Sequence, residues 1–350
     1  MPVEKYKMSL KITGKLPSGK HLQQLQKSPN YKNGAFQNLS PTPMKPEGIT
    51  YWKMMRQFIK KHPDTLPVDK LPYIKTDLNK LNSDEPVITW FGHSSYLLRI
   101  VNKNFLIDPV FSVNAAPLSM MVKAFPGSNE YTADDMPEID YLILTHDHYD
   151  HLDFKTIRKL KKKVKKIYCS AGISSHLIYW GINKEIITEM DWWQTEVLDN
   201  NTTLTAAPAR HFSGRAIKRG QTLWSSFILT SPGIKIYLGG DSGYDSHFKE
   251  IGEKFGPFDL AILECGQYNT MWPLIHMMPE ETVQAAIDLK TKQLLPVHWG
   301  KFRLSMHPWN EPVKRVLAKA KEINMPVLTP RIGEPVLFLS KSSSKAWWES

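Results

Sequence analysis

The chain has 350 residues, of which 41% are apolar and 23% charged; this supports a packed core and excludes a disordered polyelectrolyte. A formal net charge of +11 favours anionic partners, and two cysteines, Cys169 and Cys265, are too few for a disulfide framework, so a reducing, cytoplasmic setting is expected. No window approaches the ~18 apolar residues of a membrane span, and the N-terminus has no apolar run of signal-peptide length.

Residues 1–85 are rich in Lys, Pro, Asn and Gln and are read as an arm with one short helix, packed on the main body. "SPNYKNGAFQNLSPTPMKPEG" (Ser28 to Gly48) reads as extended and turn-rich. In "YWKMMRQFIKKHP", Trp52, Met55, Phe58 and Ile59 recur at helical spacing. Such a stripe suits either a core-facing helix or one that touches a membrane, and the first reading is taken here.

A domain over residues 86–340 follows. "VITWFG", "YLLRIV", "NFLIDPV" and "YLILT" read as successive strands. "FKTIRKLKKKV" places Phe154, Ile157, Leu160 and Val164 on one helical face, with "KLKKKVKK" (Lys159 to Lys166) as its wet side. Strands and helices then alternate, through "KIYCS", "TTLTAAPA", "IKIYLGG", "DLAILEC" and "QLLPVHW", to a last helix in "NEPVKRVLAKAKE" and the strands "PVLTP" and "EPVLFLS". The pattern predicts an α/β fold of helix-covered sheets. Residues 341–350, "KSSSKAWWES", read as a loose tail.

The densest chemistry is "LILTHDHYDHLD", in which His146, His148, Asp150 and His151 directly follow a strand. Neutral imidazole and carboxylate are ligands for divalent zinc, manganese or iron. At this spacing they cannot share one face of a regular element, so they sit on a loop and can divide between two metals. Asp153, just before the helical run, suits an N-cap. Three more ligand-type residues stand where strands give way to loops: His211 in "PARHFSGR", Asp241 in "LGGDSGY" and His298 in "PVHWGKF".

These motifs, with "TWFGHSSYLLRI", "FLIDPVFS" and "MMPEETVQA", resemble the metallo-β-lactamase superfamily of binuclear hydrolases. Within it they are most similar to the branch holding N-acyl-phosphatidylethanolamine-hydrolysing phospholipase D and its bacterial relatives, and "SPNYKNGAFQNL" looks like the N-terminal arm of bacterial members. The resemblance implies a four-layer αββα sandwich with two zinc ions, manganese or iron being alternatives. His146, His148 and His211 would hold one metal, Asp150, His151 and His298 the other, with Asp241 bridging. It also implies attack by a metal-bridging hydroxide on a phosphodiester, with Asp108 and His276 joining Asp241 in the catalytic machinery.

His93 and Arg215 are candidate substrate-binding residues. The lone histidines His21, His62, His176, His247 and His307 are read as structural. The expected substrate is a small-molecule or lipid phosphodiester. Contact with the inner face of a membrane is left open, and nucleic acid is disfavoured because no separate binding module exists. The alternatives are a lactonase or carboxylic-ester hydrolase of the same superfamily, a nuclease, and a metal-binding scaffold without turnover.

Overall fold

A computed structural model describes residues 11–60, 63–81, 83–116, 122–199, 201–215, 218–339 and 346–349. The arm holds α1 (Gly19–Leu25), β1 (Tyr31–Lys32), β2 (Ala35–Phe36) and α2 (Tyr51–Ile59). The body then runs β3 (Val87–Trp90), β4 (Tyr96–Ile100), β5 (Lys103–Ile107), β6 (Ile139–Leu144), α3 (Phe154–Leu160), β7 (Val164–Ser170), α4 (Ser174–Tyr179) and β8 (Ile187–Met190). Its second half comprises β9 (Thr195–Asp199), β10 (Thr202–Ala207), β11 (Ser226–Ser231), β12 (Ile234–Leu238), α5 (His247–Phe255), β13 (Leu260–Glu264), α6 (Pro279–Asp288), β14 (Leu294–Val297), α7 (Glu311–Glu322) and β15 (Pro335–Leu337).

Besides the two-stranded β1-β2 sheet of the arm, the body forms two sheets, one in the order β15-β3-β4-β5-β6-β7-β8 and the other β14-β13-β12-β11-β10-β9. Strand alternation sorts side chains between layers. On the first sheet Tyr96, Leu98, Phe105, Ile107, Tyr141 and Ile143 join a core shared with Leu204, Ala206, Phe227, Leu229 and Ile236 of the second. Their neighbours Leu97, Leu106, Leu142 and Leu144 face the other way, onto Phe154, Ile157 and Leu160 of α3 and Leu177 of α4. Residues of α6 and α7, among them Val283, Ala286, Val313 and Val316, cover the outer face of the second sheet. The result is the expected αββα sandwich. Each of these fully buried side chains contributes roughly 1.5–3 kcal/mol over its exposed state.

Local signals explain several boundaries. The Asp153 carboxylate caps α3 by accepting from Lys155 N. Pro279 opens α6, where a missing N–H costs nothing. Asn33 and Gly34, both at positive φ, turn β1 into β2.

Four expectations are corrected. The lysine run is not one wet helical face: α3 ends at Leu160, and Val164 begins β7. Parallel pairing of Ile139 with Val164 and Tyr141 with Lys166 overrides the helical period there. Strand β9 escaped the pattern because its side chains are half-buried or exposed, and "PVLTP" supplies only a bridge from Val327 to Leu294. In α2, Trp52, Met55 and Ile59 are exposed, while Met54 packs inward on Met271, Trp272 and Ile275; the Phe58 side chain lies outside the described residues. In the tail, residues 341–345 and 350 lie outside the described residues, but Trp347 and Trp348 are buried. Trp347 stacks on Trp299 at 5.2 Å and donates to the carbonyls of Thr329 and Pro330.

Candidate metal centre

The strands of both sheets end at one edge, and the ligand-type residues gather there. From the first sheet, His93 follows β3, Asp108 follows β5, and His146, His148, Asp150 and His151 follow β6. From the second, His211 lies beyond β10, Asp241 beyond β12, Glu264 ends β13 and His298 follows β14. His93, Asp108 and His298 all take positive φ, at 53°, 40° and 67°. Such backbone is uncommon outside glycine and persists where packing over-determines it, most often at functional sites. The loops also approach closely: a side chain at Gly266 would meet the carbonyl of His298, and one at Gly243 the carbonyl of Leu274.

Hydrogen bonds settle which imidazole nitrogens are bare. The Thr145 hydroxyl lies 2.5 Å from Asp108 Oδ2, to which it donates, so its lone pair is left to accept from His146 Nδ1 at 3.0 Å. Asp108 Oδ2 also accepts from His151 Nδ1 at 2.8 Å, and the Ile275 carbonyl accepts from His211 Nδ1 at 2.8 Å. The Nε2 atoms of His146, His151 and His211 are therefore free to act as ligands. Two of them crowd His148 Nδ1, at 3.0 Å from His146 and 3.2 Å from His211.

Asp241 divides the rest. Its Oδ2 lies 3.7 Å from Nε2 of both His146 and His211. Its Oδ1 lies 3.2 Å from His151 Nε2 and 3.1 Å from His298 Nδ1. Three four-residue groups have donor atoms within 4.8 Å of one another: His146–His148–His211–Asp241, His93–Asp150–His151–His298, and Asp241–Glu264–His276–His298, whose Glu264 and His276 are already paired with each other.

The residues fit a pair of divalent cations on three counts. His151 Nε2, His298 Nε2 and Asp241 Oδ1 are buried without a hydrogen-bond partner, a costly state unless something else binds them. Burial holds the imidazoles of His146, His211 and His298 well below their ordinary pKa, in the neutral form that ligates. At His151 burial is overcome by Asp241 and Asp150, which push its pKa well up; these carboxylates demand positive charge at the position a metal would take. The three-residue set Asp108–His146–His151 needs no ion, because Asp108 is already committed to Thr145 and His151.

The remaining candidates separate. Asp108 sits behind His151 and orients it rather than meeting a substrate. His93 is fully buried, with Nε2 2.9 Å from Asp150 Oδ2, so it holds a carboxylate and does not line the mouth. Arg215 is buried too: Nη1 donates to the carbonyls of Asp147 and Leu152, and Nη2 to that of Ile12. Its guanidinium clamps loop and arm from a buried position. His276 alone of these reaches the rim, its side chain 12% exposed and its ring centroid 5.0 Å from that of His211. Burial opposes its charge, but Glu264, 2.8 Å from Nδ1, pushes its pKa up to about 9. Among the lone histidines, His21 bonds Ser175 and Glu189, and His176 faces Asp147; His62 lies outside the described residues.

Sequence reasoning missed two residues. Glu264 accepts from His276 Nδ1 and from the N–H groups of Ser242 and Met277, tying two site loops together. A charge closing the apolar run "LAILE" was the available signal. Asn38 of the arm accepts from His211 N at 3.0 Å and donates to His211 O at 2.8 Å. Nothing in its local sequence marks it.

Paired donor sets at the strand ends of an αββα sandwich make a candidate dinuclear metal centre. The model of the Beta-lactamase superfamily domain matches residues 103–299, and the chain belongs to that superfamily as a metal-dependent hydrolase. A Mycobacterium tuberculosis protein described as uncharacterized is 37% identical over 334 residues, covering 92% of this chain and 88% of its own. The N-acyl-phosphatidylethanolamine-hydrolyzing phospholipase D 1 of Caenorhabditis elegans is 29% identical over 263 residues, 68% of this chain and 72% of that one. The solved structure of a metallo hydrolase from Ignicoccus hospitalis shares the fold, with TM-score 0.56 and 20% identity over 72% of this chain and 97% of that chain. Among the described residues no helix is long and apolar enough to cross a membrane.

Proposed function

We propose that the protein is a dinuclear phosphodiesterase, with an N-acyl phospholipid as the favoured substrate. The observation that carries the two-metal reading is the Asp241 carboxylate, each of whose oxygens faces a different donor set. Zinc is the expected metal, held on one side by His146, His148 and His211 and on the other by Asp150, His151 and His298, with Asp241 shared. Held by these residues, two such cations would supply a hydroxide at neutral pH and would neutralise charge on a phosphoryl group.

The chain's own residues do the rest. Asp108, Thr145 and His93 hold ligands in their required orientation. His276 stands at the rim with Nδ1 committed to Glu264, leaving Nε2 to face the site. A cation there suits a diester anion. As the phosphorus–oxygen bond to the departing alcohol breaks, a proton held at Nε2 passes to that oxygen. Cys169 and Cys265 are buried free thiols, pushed well above their ordinary pKa by burial, and do not serve as nucleophiles. Free thiols accord with a cytoplasmic site of action.

The C. elegans relative's named activity supports the bond class. Metal-replete protein should therefore hydrolyse bis-p-nitrophenyl phosphate and N-acyl-phosphatidylethanolamine. Turnover of a lactone alone would replace this reading with a carboxylic-ester hydrolase. Asp241→Ala should abolish turnover, and unchanged activity would put the chemistry elsewhere.

A further inference from the structure

We propose that the outer face of α2 docks the protein on an anionic lipid surface. The helix seats through Met54, which packs in one cluster with Met271, Trp272 and Ile275. Trp52, Met55 and Ile59, spaced i, i+3 and i+7, fall on one side of the helix and are 64%, 45% and 74% exposed. Each is followed at once by a cation, Lys53, Arg56 and Lys60, so a basic row runs about 100° round from the apolar one. All three cations are exposed, and none has a salt-bridge partner among the described residues. The helix carries no acidic residue.

An apolar row beside a cationic row is the geometry of a helix lying in the plane of a membrane interface: Trp and aliphatic side chains enter the acyl boundary while cations meet phosphate. A second copy of the chain fits less well. A two-fold contact through this face would set one cationic row against the other with no carboxylates to offset them. The face is tied to the site as well, because the loop beneath α2 leads into His276. Lys53 and Ile49 border a cavity of about 660 Å³ with Met271, Met278 and Met306.

This goes beyond the phosphodiester reading and is tested without turnover. The full metal-loaded chain is sedimented with vesicles of phosphatidylcholine alone or mixed with phosphatidylglycerol. Binding should favour the mixed vesicles and weaken as salt rises. Trp52→Ser with Ile59→Ser, and separately Arg56→Glu with Lys60→Glu, should each lower partitioning roughly tenfold or more. Hydrolysis of a soluble diester and the urea midpoint should stay unchanged in both. Wild type that ignores phosphatidylglycerol, or variants that sediment like wild type, would overturn the proposal. So would light scattering in which the Trp52/Ile59 variant turns a dimer into a monomer, which makes a second copy the occupant. An enzyme inactive on every diester that still binds the mixed vesicles leaves this proposal standing and removes only the other.

Discussion

Asp108 and Asn38 show how much of the site lies one bond behind the residues that would hold metal. Asp108 accepts three hydrogen bonds, from Thr145 N, Thr145 Oγ1 and His151 Nδ1, and so fixes a free Nε2 on both His146 and His151. Asp108→Asn keeps the volume but replaces one acceptor oxygen with a donor, which opposes either Thr145 or His151. Partner groups of this kind typically account for 10–100-fold in metal affinity. Titration against a competing chelator should show about that loss, and an affinity within twofold of wild type would refute the tautomer argument. Asn38→Ala removes both bonds that clamp the His211 backbone. Together they are worth about 1–3 kcal/mol net to folding, so the urea midpoint should fall modestly. Affinity at the set containing His211 should nevertheless fall about tenfold in the same titration. A midpoint loss with unchanged affinity would make Asn38 a folding residue only.

At the scale of elements, α5 carries a pH dependence unrelated to metal. His247 begins that helix, is buried, and lies 3.3 Å from the Ser242 hydroxyl through Nε2. Burial pushes its pKa down to about 4, with Arg210 acting in the same sense and Asp245 against it. The helix N-terminus is also a poor place for a cation. An unfolded chain takes up this proton near pH 6.5 and the folded chain only near 4, so stability is full above 6.5 and is lost as pH falls towards 4. Between pH 7 and pH 5 the loss from this group is ~2 kcal/mol. His247→Phe should reduce the drop in urea-derived stability over that interval by a comparable amount; an unchanged drop would assign the acid sensitivity elsewhere. The elements themselves differed in how plainly the chain announced them. β6 and α3 were legible because apolar alternation, a capping Asp153 and a helical stripe agreed. The seven ligand-type residues were legible because each follows a strand. Strand β9, the true end of α3, and the placement of Trp347 and Trp348 were not, because pairing between strands and contacts with tryptophans 38 or more residues away decide them. The three backbone carbonyls that Arg215 holds were hidden for a related reason: an arginine beside a ligand motif does not announce which groups it meets.

For the whole molecule, the centre is a junction as well as a reaction site. His146, His148, Asp150 and His151 belong to the edge of the seven-stranded sheet, and His211, Asp241 and His298 to that of the six-stranded one. Cations held between them would join the two halves of the sandwich and the arm, whose Asn38 holds His211. Without them the edge keeps buried nitrogen and oxygen atoms that have no hydrogen-bond partner. Metal that binds the folded chain and not the unfolded one stabilises by RT ln(1 + [L]/Kd), about 2.7 kcal/mol at a hundredfold excess over Kd. Chelation should therefore lower the thermal midpoint, and added zinc should restore it in proportion to the logarithm of free metal. Asp241→Ala, lacking the carboxylate shared by both sets, should show a reduced midpoint and little response to either treatment. Limited proteolysis would locate the change: opening between the sheets predicts new cleavage in the loops after β6 and β10 of the chelated protein. A midpoint indifferent to chelator, in protein shown by elemental analysis to have lost its metal, would mean that the sandwich closes by apolar packing alone and that the seven side chains serve only chemistry.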